Sequence, residues 1–183
     1  MATAILRPSS TTSYTGWRAD PILTAADNNT STGVDQSRTT CNWTAVLADL
    51  DSSLSGATIN SFTISANAKA GRAGASTAII NLVHSSDGAF GGGTESWTGS
   101  QTTQTTSSRT TQQDGSSALT YAYINDCSVI ISPNPQGLTL YELYVTVDYT
   151  EAGYSNKVLG IAAANISKII GKAKSTINKM AGK

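Results

Sequence analysis

From Leu138 to Tyr149 the chain alternates: Tyr141, Leu143, Val145, Val147 and Tyr149 fall on one side, and Glu142, Thr146 and Asp148 on the other. Side chains of an extended strand point to opposite faces in turn, so a period of two sets one row against a core and the other at solvent. A helix cannot satisfy that spacing. Pro133-Asn134-Pro135-Gln136-Gly137 just before it supplies a turn. The same period appears in Asn60 to Ala68, where Phe62, Ile64, Ala66 and Ala68 alternate with polar residues. Shorter apolar runs follow at Ala78 to Val83, Leu119 to Ile124 and Ser128 to Ser132. Asn125-Asp126, between the last two, reads as the turn of a late hairpin.

Helical spacing is nearly absent before residue 151. Asn42 to Leu54 is the exception, with Trp43, Val46, Leu47, Leu50 and Leu54 three or four apart, which predicts a short helix or irregular crossover. Gly91 to Ser117 is rich in Ser, Thr, Gln and Gly, and predicts a solvated strand or long loop around Trp97. Only 13% of residues are charged, too few for a Lys/Glu-rich helical protein. The expected fold class is therefore all-β: an antiparallel, jelly-roll-like β-sandwich over residues 1–151, followed by a short basic arm, helical or extended, over 152–183.

The boundary is drawn by charge. All twelve Asp and Glu lie at or before Glu151, whereas six of the twelve Lys and Arg lie at or after Lys157, so the formal net charge of zero combines about −6 with about +6. The arm also repeats every eleven residues: Lys157, Lys168 and Lys179; Gly160, Gly171 and Gly182; Ile166 and Ile177. Eleven residues is close to three helical turns, so a helix would align Val158, Ile166, Ile169 and Ile177 in one stripe. The glycines would weaken that helix, each by about 1 kcal/mol relative to alanine. Lys157, Val158, Ile161, Ile166, Lys168, Ile169, Ile170, Ile177 and Lys179 are the expected assembly contacts. They would form a helix packed on copies of itself in a trimer or on a neighbouring protein, or an extended peptide added to another subunit's sheet. An interfacial membrane helix also fits the lysines opposite an apolar row. Nucleic acid fits poorly, because the arm has no Arg and no aromatic after Tyr154.

Two stretches of the body and the arm resemble a known family. Arg7-Pro8-Ser9-Ser10 leading to Tyr14-Thr15-Gly16-Trp17, and Leu140 to Tyr149 at the end of the body, resemble β-sandwich domains of structural proteins from tailed bacteriophages. Asn156-Lys157-Val158-Leu159-Gly160 and its echoes are similar to Lys-Val-x-Gly repeats that close some phage virion proteins. The resemblance implies a virion component, either a capsid decoration protein or a head- or tail-attached fibre or adaptor, with other virion proteins as partners and no catalytic residues to carry over. It also implies assembly on the virion after synthesis in the host cytoplasm. The start of the chain lacks the apolar stretch of a signal peptide, which agrees with that route. Cys41 and Cys127 are then expected as small buried hydrophobes and not as a disulfide.

Chemistry-bearing patterns are sparse, and neither an enzyme nor a cofactor is expected. His84 is the only histidine and stands beside Ser85, Ser86 and Asp87, which reads as a strand end before an Asp-Gly turn. Gly91-Gly92-Gly93 opens into no helix and lacks the lysine of a phosphate loop, which predicts a flexible turn. Asp49 with Asp51, and Asp126 with Glu142, supply oxygens but no calcium-loop spacing, so no metal is expected. Jelly-roll sandwiches often hold sugars on aromatic platforms, where a ring stacks on the sugar face. Trp17, Trp43, Trp97, Tyr121, Tyr123 and Tyr144 are the aromatic candidates. The alternative to the virion-assembly reading is a receptor-recognition module that meets a host-surface glycan, with Trp97, in its polar surroundings, as the expected contact.

Overall fold

The structure is a computed structural model describing residues 2–37, 41–71, 74–133 and 137–152. The chain divides into two units, Met1–Thr150 and Glu151–Lys183. All nine expected assembly contacts in the arm lie outside the described residues.

The first unit is an antiparallel sandwich of two five-stranded sheets. Its strands are β1 (Ala2–Leu6), β2 (Pro8–Thr15), β3 (Val34–Asp35), β4 (Asn42–Leu47), β5 (Thr58–Ala70), β6 (Ser76–His84), β7 (Gly88–Trp97), β8 (Thr102–Thr105), β9 (Cys127–Pro133) and β10 (Leu138–Thr150). Two one-turn helices, α1 (Ile22–Ala25) and α2 (Tyr121–Asn125), lie between strands. Sheet 1 has the order β1-β10-β5-β8, with β3 paired to β10; sheet 2 has the order β2-β4-β9-β6-β7. The chain crosses repeatedly from one sheet to the other, as a jelly roll requires.

The core is the row of inward residues between the sheets. Strand β5 contributes Phe62, Ile64, Ala66 and Ala68, and β9 contributes Val129 and Ile131. Small alanines on β5 face larger side chains on its neighbour, since Ala68 pairs Leu140 and Ala66 pairs Leu143. This alternation of small and large residues lets the layers fill space without voids.

Four local expectations are corrected. In β10 the register shifts between Leu140 and Glu142, so Tyr141 is an extra residue in a β-bulge. The inward row is therefore Leu138, Leu140, Leu143, Val145 and Val147. Tyr141 turns to the outer face, where its ring lies against Gly33 and under Lys69. Asn42 to Leu54 is strand β4 followed by a 3₁₀ turn at Ser52–Leu54, because Trp43, Ala45 and Leu47 alternate inward between two partner strands. Leu119 to Ile124 forms α2 and not a hairpin strand: the Thr120 hydroxyl caps it by accepting from the Tyr123 N–H at 3.1 Å. Gly91 to Gly93 is no flexible turn but lies inside β7, at a bulge opposite β6.

An aromatic ladder ties the layers together. Phe62 on β5 meets Phe90 edge-on at 5.6 Å, Phe90 meets Tyr123 at 5.4 Å, and Tyr123 stacks on His84 at 3.9 Å. These geometries suit the charge distribution of aromatic rings and add to plain area burial.

Candidate functional site

A polar cleft opens at one end of sheet 1. Its walls are Arg18, Asp35, Gln36, Lys69, Thr139 and the backbone around Gly71, Gly99 and Gly137, enclosing about 450 Å³. Short β3 builds it by pairing Asp35 with Thr139 and Val34 with Leu140. The pairing continues as Gln36 N–H donates to the Leu138 carbonyl at 2.8 Å, and Leu138 N–H donates to Gln36 Oε1 at 3.0 Å. Arg18 joins through its own N–H, which donates to the Asp35 carbonyl at 3.0 Å. Gly71 N–H donates to Gly137 O at 2.9 Å, and the Ser76 hydroxyl donates to the same carbonyl at 2.6 Å, closing the floor. The cleft is thus framed by backbone hydrogen bonds together with the side chains of Gln36 and Ser76.

Its side chains carry unlike charges. Thr139 donates its hydroxyl to Asp35 Oδ1 at 2.7 Å, while Arg18 Nε stands 3.9 Å from Asp35 Oδ2. Lys69 holds its ammonium 5.5 Å from the centre of the Tyr141 ring. The Lys69 pKa is raised, first by a hydrogen bond to Tyr141, then by the charges of Tyr141 and Asp35. Donors and acceptors therefore both line the cleft, with little apolar lining beyond Ala70 and Leu138.

At the other end of β6, roughly 26 Å along the strand, His84 is held between two carboxylates. Nδ1 lies 3.4 Å from Asp87 Oδ2, and Nε2 lies 3.4 Å from Asp126 Oδ2. The two carboxylates approach opposite ring nitrogens, so they do not converge on a point where a metal would sit. Among the described residues no group of three metal-ligating side chains is present. The Ser86 hydroxyl is 3.2 Å from Nδ1 and also donates to Asp87 Oδ1 at 2.9 Å, while Tyr123 donates to Asp87 Oδ2 at 3.0 Å. The cluster reads as a tied-down turn in which each polar group already has a local partner. Beneath it, burial, aided by Asp126 and Asp87, pushes the Cys127 thiol up to about 12. Such a thiol stays protonated and inert at neutral pH. Cys41 is also buried, with Sγ 2.8 Å from the Gly16 carbonyl.

Trp97, the expected glycan contact, lies in the core. Trp97 is 1% exposed, pairs with Ser76 at the end of β7, and donates its indole N–H to the Thr102 carbonyl at 3.1 Å. Its polar neighbours face outward while the ring faces the core, so it has no free face for a sugar. Trp17, Trp43 and Tyr123 are likewise buried. Tyr121 is half-buried and donates its hydroxyl to Leu50 O at 3.0 Å, and the Tyr144 ring lies under the Arg7 guanidinium at 5.3 Å. Asp126 and Glu142, paired in the calcium reading, are apart: the first faces His84 and the second Arg7. We expect Trp97→Ala to lower the unfolding free energy by about 3–5 kcal/mol, the range for truncating a large core aromatic. Urea denaturation measures it, and a loss below about 1 kcal/mol would contradict the packing role.

Sequence reasoning passed over the cleft residues because they lie far apart in the chain, at 18, 35–36, 69–71, 99 and 137–139. No motif joins them; only the β3–β10 pairing does.

No protein-family model matches the chain, and no curated protein does. Among solved structures, the chain is similar to the C-terminal CBM6 of LamC, a marine laminarinase from Zobellia galactanivorans, with 10% identity, a TM-score of 0.45, and coverage of 80% of this chain and 98% of that one. It is also similar to a carbohydrate-binding module of Cellvibrio mixtus lichenase 5A in complex with cellotriose, with 13% identity, a TM-score of 0.43, and coverage of 80% and 97%. A third likeness is to the enzymatically active domain of tailspike protein 4 from bacteriophage CBA120, with 12% identity and a TM-score of 0.40; it covers 80% of this chain and 19% of that one.

Proposed function

We propose that the sandwich is a non-enzymatic carbohydrate-recognition module and that the polar cleft, not Trp97, is where it meets a glycan. The observation that carries this reading is the lining of the cleft: a carboxylate, an amide, a hydroxyl and two cations around about 450 Å³, with glycine backbone at the floor. A sugar is a dense array of hydroxyls, each both donor and acceptor, and it binds where side chains of both kinds are pre-placed. An apolar peptide or a lipid needs an apolar wall, which this cleft lacks. In the test, the full chain is applied to a glycan array. Binding to a sugar is expected, with loss of at least about a hundredfold on Asp35→Ala, since a buried sugar hydroxyl would lose a charged acceptor. Retention by Asp35→Ala, at unchanged thermal stability, would remove the cleft from the reading.

A second reading concerns residues 152–183 and is carried by their sequence. The eleven-residue repeat and the monopoly on late positive charge support an attachment arm on a tailed-phage virion protein, its partners being other virion proteins or further copies of the chain. The lysines would steer the arm to an acidic surface and the isoleucines would supply burial. Deleting residues 155–183 should leave a soluble, folded body that fails to join particles in a complementation assay. Normal incorporation of the truncated protein would defeat that role.

A further inference from the structure

Four basic side chains of the body are among the described residues, and they divide into two kinds. Arg7 is consumed by structure: its guanidinium pairs with Glu142, donates to Asn28 Oδ1 at 2.7 Å and covers the Tyr144 ring. Arg109 is consumed as well, donating to the carbonyls of Thr111 at 3.1 Å and Gln112 at 2.7 Å. The other two, Arg18 and Lys69, both line the cleft. The Arg18 side chain is 70% exposed, and its only carboxylate neighbour among the described residues stands at 3.9 Å, beyond hydrogen-bonding range. Lys69 has the Tyr141 ring and hydroxyl beside it and, among the described residues, no carboxylate in contact. Asp35, the one carboxylate of the lining, already accepts from Thr139. Among the described residues the cleft thus holds two cations against one carboxylate, on a body whose formal charge is about −6. A guanidinium whose terminal fork has no partner among the described residues suits a planar or tetrahedral oxyanion, and an ammonium in the same cleft adds a second point of charge.

We infer that the glycan taken by the cleft is anionic, a sugar bearing a carboxylate or sulfate group that Arg18 and Lys69 recognise together. The inference rests on the carbohydrate reading of the cleft. Asp35 and Thr139 would then serve the neutral hydroxyls beside the charged group. Selectivity comes from charge: an oxyanion between the two cations relieves their mutual repulsion, whereas a neutral sugar leaves it in place.

The test uses the full chain on an array that carries uronate, sialate and sulfated oligosaccharides beside their methyl-esterified or desulfated counterparts. An anionic member should bind at least about tenfold more tightly than its neutralised twin. That gap should close in the Arg18→Gln/Lys69→Gln double variant and shrink steeply as salt rises. The carboxylate and sulfate arms report which oxyanion is preferred. Both side chains sit at the rim of the cleft, and an unchanged thermal midpoint verifies that the double variant folds. Equal affinity for charged and neutralised twins overturns the anionic specificity, and a gap that survives the double substitution overturns its assignment to Arg18 and Lys69; either outcome leaves glycan binding intact. Binding to no arrayed sugar overturns both readings.

Discussion

Replacing Gly92 with alanine is expected to unfold the body, at a cost above about 3 kcal/mol, even though the residue sits at an exposed position of β7. The cause is the bulge between β6 and β7. Ile80 pairs with Gly93 and Leu82 with Phe90, so Gly91 and Gly92 together oppose Asn81 alone. That crowding brings the β6 backbone onto Gly92: a Cβ there would lie 1.6 Å from the Ile80 carbonyl oxygen and 2.4 Å from Asn81 Oδ1. Backbone atoms cannot swing aside as a flexible side-chain end can, so the strands would have to part. Gly91 is constrained differently: its φ is +64° and a Cβ would meet Phe62 Cζ at 2.3 Å, so the glycine pair shapes the bulge that lets Phe62 reach Phe90. Gly93 is the control. A Cβ there meets only Glu95 Oε1, at 3.6 Å, and Gly93→Ala should stay within about 0.5 kcal/mol of the parent. Urea melts of the two variants decide the matter, and equal midpoints would show that the bulge can relax.

The second large effect is expected at Arg7. Its side chain, 25% exposed, pairs with Glu142, which is only 10% exposed, on the outer face of sheet 1. Arg7→Met keeps an apolar stem over Tyr144 but strands the carboxylate, and removing one partner of a buried pair costs about 3–5 kcal/mol. Arg7→Met combined with Glu142→Gln removes both charges, and much of the stability should return. A double-mutant cycle measures the coupling. Strict additivity of the two single losses would show that solvent already screens the pair. The same arginine holds Asn28, whose φ of +59° lies in the left-handed region, so Arg7→Met should also loosen the segment between α1 and β3.

How much of this was legible in the sequence depended on distance along the chain. Strands β5, β6 and β10 showed themselves because a period of two is imposed by the backbone of each strand alone. Tyr141 was assigned to the wrong face because a bulge exists only between two strands, and its partner lies some seventy residues earlier. Asn42 to Leu54 looked helical because Leu50 and Leu54, from the following loop, completed a spacing that β4 itself does not have. Trp97 looked exposed because its sequence neighbours are polar; in a strand, though, neighbours face the opposite way, and the end of β7 turns the ring inward.

What the sequence determined by itself was what local periodicity and charge can encode: an all-β sandwich, its strongest strands, and the gathering of late positive charge in a repeated tail. The cleft, the burial of Trp97 and the need for glycine at position 92 were decided only by the tertiary structure. Each depends on which strands pair and in what register. Those pairings join residues tens of positions apart, so no stretch of chain short enough to show a period contains them.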